Sequence, residues 1–134
     1  MKMIEELKVT TSMRVQFVDI TAAIGDIIQK SGVTDGLAIV YSPHTTAGVT
    51  INEAADPSVV SDIINKLGEL VPKNDRYRHA EGNSDSHIKA SLMGSSVSIF
   101  VKESKPVLGV WQGVFFCEFD GPRNRKVFVK IITG

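Results

Sequence analysis

The sequence predicts an α+β fold: a single domain with a largely antiparallel β-sheet and two main helices packed on it. Three observations predict it. Short alternating or apolar runs, bounded by Gly, Pro and polar pairs, recur along the chain as strands joined mainly by hairpins do. Two other segments place apolar residues at helical spacing behind a capping residue. The length of 134 residues, with 43% hydrophobic and 22% charged residues, suits one core. Helices that do not alternate regularly with strands belong on one face of an antiparallel sheet. No internal repeat, low-complexity tract or linker divides the chain.

Taken in order, residues 5–10 alternate, with Leu7 and Val9 on one side, and read as a first strand. Residues 14–20 read as a second, and the weak turn chemistry of Thr11-Ser12 suggests a hairpin between them. Thr21 is placed to cap a helix carrying Ile24, Ile27 and Ile28, which Gly32 closes. Residues 37–41 form a short apolar strand between Gly36 and Pro43, and 49–52 form another. Asp56-Pro57 announces the second helix, whose stripe is Val60, Ile63, Ile64, Leu67 and Val71. Residues 72–86 are polar, nearly without core residues, and read as a long functional or mobile loop. A short helix over 87–93 ends at Gly94, and strands follow at 97–101, 112–119 and 126–132.

The formal net charge of +0 removes any global field that would draw nucleic acid or an anionic membrane, so an anion site must be local. A single cysteine, Cys117, excludes an intrachain disulfide and suits a reducing compartment. The start, Met1 to Glu6, lacks an apolar signal core, and no stretch reaches the roughly 20 apolar residues of a membrane span. A cytoplasmic protein without nucleic-acid or membrane partners is expected.

All three histidines, His44, His79 and His87, lie in polar segments at strand or loop ends. Three imidazoles can hold a divalent metal such as zinc and leave a position open, with Glu53, Asp56, Glu81 and Asp85 as orienting carboxylates. Their spacing is not diagnostic, and three hydrogen-bonding surface histidines would look the same. In Ser42-Pro43-His44-Thr45-Thr46-Ala47-Gly48 two threonine hydroxyls and a glycine suit an oxyanion, but equally a hydroxyl-stabilised turn. No Walker lysine is present. Period 2 in the last strand puts Arg123 and Arg125 on the face of Val127, Val129 and Ile131. Such guanidinium groups either grip a phosphate, with Lys89 adding a third cation, or pair with a carboxylate. Gln112, Val114, Phe116 and Glu118 share a face, opposite Phe115, Cys117 and Phe119. Cys117 therefore reads as a core thiol, and Glu118 as an acid/base group or an arginine partner. Trp111 reads as a core residue or a stacking surface for a heterocycle.

The phrases His44-Thr45-Thr46-Ala47, Asn52-Glu53 with Asp56-Pro57, Asn83-Ser84-Asp85-Ser86-His87-Ile88-Lys89, Leu108-Gly109-Val110-Trp111-Gln112 and Phe119-Asp120-Gly121-Pro122-Arg123 occur in this order. Together, over essentially the whole chain, they resemble the YjbQ-like family, some of whose members are described as secondary thiamine-phosphate synthases. The resemblance implies a homotrimer and a transferase that joins hydroxymethylpyrimidine diphosphate to thiazole phosphate with release of pyrophosphate. A non-catalytic binding protein for a phosphorylated or anionic metabolite is the alternative. The family's polar positions match His44, Asn52, Glu53, Asp56, His79, Asn83, Asp85, His87, Lys89, Gln112, Asp120 and Arg123. The combined expectation assigns His44, His79 and His87 to a metal, Glu53, Asp85 and Glu118 to acid/base or orienting roles, and Thr45, Asn52, Asn83, Lys89, Gln112, Arg123 and Arg125 to the phosphorylated substrate.

Overall fold

A computed structural model describes residues 3–134; the sequence reading of Met1 and Lys2 lies outside them. Eleven elements follow in order: β1 (Glu5–Thr10), β2 (Gln16–Asp19), α1 (Thr21–Ser31), β3 (Asp35–Tyr41), β4 (Ala47–Glu53), α2 (Pro57–Leu70), α3 (Ser84–Met93), β5 (Ser96–Lys102), β6 (Lys105–Pro106), β7 (Gln112–Glu118) and β8 (Asn124–Thr133). The fold is a single α+β domain with three helices, and its antiparallel strands form two sheets, not one. One sheet runs β1-β8-β3-β5-β6 and the other β2-β7-β4.

The expected hairpin between the first two strands does not form. β1 pairs with β8 and β2 with β7, so residues 11–15 cross from one sheet to the other. Asp120-Gly121 likewise carries the chain between sheets and turns no hairpin, because β7 and β8 are not neighbours. Gly121 is needed there: a Cβ would lie 2.3 Å from the Met13 carbonyl oxygen.

The inner face of the five-stranded sheet (Val40, Ile99, Val127, Val129, Ile131) packs on Ala47, Val49, Val114 and Phe116 of the second sheet and on Ile24 and Ile28 of α1. A second cluster joins Phe115, Cys117 and Phe119 to Leu67 of α2 and Ala90 of α3. β7 is thus buried on both faces, and its period-2 reading holds residue by residue. At about 25 cal/mol per Å² of apolar area, such doubly covered side chains stabilise the sheet most.

The helix ends follow local chemistry. Asp56 caps α2 by accepting from Ser58 N–H at 3.0 Å, and Pro57 opens the helix. Gly32 closes α1 in the left-handed region at φ 74°. Thr21 is not the cap expected for α1. Its hydroxyl donates to Asp19, which also accepts from Thr21 N–H at 2.9 Å, so Asp19 satisfies the first turn. α3 begins at Ser84, three residues earlier than expected, which shortens the polar loop before it. No described helix is long and apolar enough to cross a membrane.

Candidate functional site

His44 stands in the β3–β4 connection. Ser42 Oγ–H donates to the Ala47 carbonyl at 2.9 Å and fixes that turn. Gly48 permits a close approach, but of the chain to itself: a Cβ would lie 2.5 Å from the Gly94 carbonyl oxygen, at the end of α3. The backbone bonds Val49 N–H to Gly94 O, 3.1 Å, and Ser42 N–H to Ser95 O, 2.7 Å, dock the end of α3 beside His44. Between them opens a cavity of about 530 Å³ lined by His44, Thr45, His87, Ser91 and Ser95, among others.

The His44 ring is oriented by backbone. Its Nε2 lies 3.1 Å from both the carbonyl oxygen and the amide nitrogen of Lys126. In one tautomer Nε2–H donates to the carbonyl and leaves the Nδ1 lone pair free; in the other, Nε2 accepts from the amide. Burial, then the nearby Arg125 charge, hold the imidazole below its usual value of 6.5, so it is neutral at pH 7.

His87 packs against His79, their rings perpendicular with centroids 5.4 Å apart. The Nε2 of His79 lies 3.7 Å from a carboxylate oxygen of Glu81. Two imidazoles on one zinc, at about 2.0–2.1 Å per nitrogen, place their centroids roughly 5 Å apart. The 5.4 Å between the His79 and His87 centroids is near that spacing, and it is equally that of edge-to-face ring packing. The third imidazole does not join them, since among the described residues no three His, Cys, Asp or Glu side chains are grouped to hold a metal.

The expected cations are not brought together. Lys89 is buried on Asp85 at 2.9 Å, and the same carboxylate takes Arg14 at 2.9 Å. Arg123 precedes β8 and folds back on Asp120 at 3.0 Å, exposed to solvent, so it does not share the inner face. Arg125 does point inward, and there it meets Glu118 across the two sheets. Glu118 accepts from Arg125 Nε at 2.8 Å, from Arg125 Nη2, from Thr11 Oγ–H at 2.8 Å and from Asp120 N–H at 3.2 Å. Burial pushes this carboxyl up, but those donors outweigh it and hold it below its usual value. Asn83 donates to Asp120 at 2.9 Å, while its buried Oδ1 has no donor among the described residues. Asn52, Glu53 and Gln112 lie at the far end of β4 and β7, about 20 Å along the strand. Cys117 is buried and free, its thiol pushed far above the ordinary range by burial.

Sequence reading missed a second depression, of about 540 Å³, on the other side of His44, lined by Glu6, Lys8, Thr10, Asn124, Arg125 and Lys126. Lys8 and Lys126 face each other directly across the β1–β8 ladder. Like charges so placed repel. Lys126 finds Glu6 at 3.4 Å, and Lys8 has no carboxylate partner among the described residues. The only signal in the sequence was the outward parity of Lys8 and Thr10.

The family model described as UPF0047 protein YjbQ-like matches residues 5–134. A UPF0047 protein of Methanocaldococcus jannaschii is 57% identical over 131 residues, covering 98% of this chain and 95% of its own. YugU of Bacillus subtilis, also a UPF0047 protein, is 43% identical, covering 97% of this chain and 99% of its own. Among solved structures, a YjbQ/UPF0047 protein of Clostridium acetobutylicum superposes with a TM-score of 0.94 at 56% identity, over 96% of this chain and 99% of its own. A protein of unknown function from Sulfolobus solfataricus gives 0.95 at 30% identity, over 100% and 99%.

Proposed function

The chain belongs to the UPF0047 family of YjbQ-like proteins, and on that premise we propose that it acts on a phosphorylated small molecule held across His44. The opposed pair Lys8 and Lys126 carries this reading, because an anion between them relieves their repulsion. Thr10 and Asn124 add a hydroxyl and an amide to the same depression, and neutral His44 separates it from the cavity that His87 faces. The phosphate role thus falls to Lys8, with Lys126 in its longer, exposed pair with Glu6, ahead of Lys89 and Arg125, which are buried on carboxylates, and of Arg123, which folds back on Asp120. Thr45 lies where the rest of the substrate would, while Asp85 and Glu118 act as positioning groups.

By the family resemblance the enzyme joins hydroxymethylpyrimidine diphosphate to thiazole phosphate. The thiazole ring nitrogen gives its lone pair to the methylene carbon of the pyrimidine, forming the carbon–nitrogen bond, as the diphosphate leaves with the electron pair of the broken carbon–oxygen bond. The lysine pair offsets the charge of the leaving group. His44, held neutral, offers the substrate a ring N–H or lone pair as a hydrogen-bonding group. A divalent metal, when bound at His79 and His87, would supply further charge stabilisation. A lone buried thiol suits a reducing, cytoplasmic setting.

Calorimetry with pyrophosphate, with and without zinc, tests this reading. Charge-assisted bonds contribute about 1.5–3 kcal/mol, and exposed lysines fall at the lower end. Lys8→Ala and Lys126→Ala are each expected to weaken binding about tenfold. Wild-type protein that binds no pyrophosphate, or variants that bind it equally well, would reject the site. Binding without turnover of the two phosphorylated substrates would favour a non-catalytic binding protein.

The resemblance also implies a homotrimer, and the outer face of the five-stranded sheet supports it. Phe100, 71% exposed, stands in one cross-strand row with Leu37 and Ile132. Neighbouring copies would cover such a row. Light scattering at micromolar concentration is expected to give three times the chain mass, and Phe100→Lys to lower it; a wild-type monomer rejects the assembly.

A further inference from the structure

At the end of the three-stranded sheet away from His44, the β4–α2 turn and the loop entering β7 form a small open cleft of about 270 Å³. Its lining is Ile51, Asn52, Glu53, Trp111 and Gln112. Trp111 is 64% exposed there, so it serves neither core. The Ala54 N–H donates to the Trp111 carbonyl at 2.8 Å and ties the two loops together.

Each polar group in the cleft is held by backbone. Asn52 Oδ1 accepts from Glu53 N–H at 2.7 Å, and Gln112 Oε1 accepts from Gly109 N–H at 2.8 Å. Only an oxygen can face an N–H, so these bonds fix which end of each amide points outward. Both NH₂ groups are left without protein acceptors among the described residues. Glu53 Oε2 accepts from Ala55 N–H at 2.8 Å, which leaves Oε1 uncommitted. The result is an indole face flanked by two amide donors and one carboxylate acceptor, with no lysine or arginine in the lining.

We propose that this cleft is a binding site, separate from the histidine cavity, for an uncharged planar heterocycle carrying a carbonyl and an N–H. The indole supplies the stacking surface for the planar ring. The two NH₂ groups donate to the carbonyl, and Glu53 accepts from the N–H. A phosphate is excluded by Glu53 and by the lack of cations.

Trp111 is the only tryptophan in the chain, so its fluorescence reports the cleft directly. Nicotinamide, a planar ring with a carboxamide, is the probe. Cyclohexanecarboxamide, with the same amide and no flat face, is the control. Saturable quenching by nicotinamide alone is expected. Asn52→Asp and Gln112→Glu keep an oxygen that accepts from the backbone and replace the NH₂ donor by a carboxylate oxygen. Each is expected to weaken saturation roughly 2- to 12-fold, as loss of a neutral hydrogen bond of about 0.5–1.5 kcal/mol implies, while His87→Ala is expected to leave it unchanged. Linear, unsaturating quenching, or saturation indifferent to both conservative variants, overturns the proposal. It is overturned as well if emission of the free protein is that of a buried indole and Trp111→Ser breaks an oligomer in sedimentation, because the cleft is then a subunit contact.

Discussion

Glu118→Ala is expected to cost about 3–5 kcal/mol of stability, at the upper end of what a single substitution removes. The carboxylate is fully buried, as is nearly all of the Arg125 side chain, and the pair joins the inner faces of the two sheets. Removing Glu118 leaves a buried guanidinium on Thr46 Oγ1, at 2.8 Å, and strands Asp120 N–H, while Thr11 Oγ–H keeps the Arg123 carbonyl at 3.2 Å. A loss of that size is a large part of the 5–15 kcal/mol that holds a typical domain folded. The double variant Glu118→Leu with Arg125→Met is expected to recover most of it, since no charge then remains buried. Urea unfolding of Glu118→Leu, Arg125→Met and the double variant closes a cycle, with Glu118→Ala measured beside it. Additive losses would show that the pair is not coupled, and a loss below about 1 kcal/mol for Glu118→Ala would place it among solvent-screened pairs.

That pair also shows what the sequence could reveal. Period 2 places Glu118 with Val114 and Phe116, and Arg125 with Val127 and Val129, because strand parity is local. It does not place the two faces against each other, since that depends on residues 119–123 crossing between sheets. The same limit explains the missing hairpin after Thr10: turn chemistry says that the chain bends, not which edge the next strand joins. Asp56-Pro57 and Gly32 are legible because capping involves only a few neighbouring residues. Lys8 and Lys126 are not, because their opposition exists only in the β1–β8 register. The histidines lie between these cases. Their polar settings are visible in the sequence, and the fold sets His79 on His87, but the fixing of His44 by the Lys126 backbone requires β8 to be in place. Trp111 reads as core or stacking surface, and its exposure follows from a loop position that no periodicity encodes.

Asp85 is where stability and pH should meet. Its carboxylate is fully buried in the first turn of α3, where the helix dipole favours a negative charge. It takes Arg14 on both oxygens, at 2.9 and 3.2 Å, and Lys89 at 2.9 Å. Burial pushes the carboxyl up, but the bonds from Arg14 and Lys89 outweigh it and hold it below the usual 3.8. As pH falls, the unfolded chain therefore takes up its proton first. The stability contributed by Asp85 is complete above about 3.8 and is lost as pH drops through that value to the lower folded one. Glu118, held below 4.5, acts in the same direction. His44, held below 6.5, adds an earlier and shallower loss beginning near that pH, because the unfolded chain again protonates first. Asp85→Asn keeps the shape and removes the charge, leaving buried Lys89 without a counterion. At pH 7 it is expected to lower stability by about 3–5 kcal/mol. Below pH 3.8 the unfolded wild-type chain takes up the proton, and lower still the folded carboxyl does, so the two stability curves should converge as the acid limb is descended. Unfolding midpoints measured from about pH 7 to about pH 2 for both proteins decide it. Curves that stay parallel over the whole range would show that Asp85 acts through packing and that its ion pairs contribute nothing.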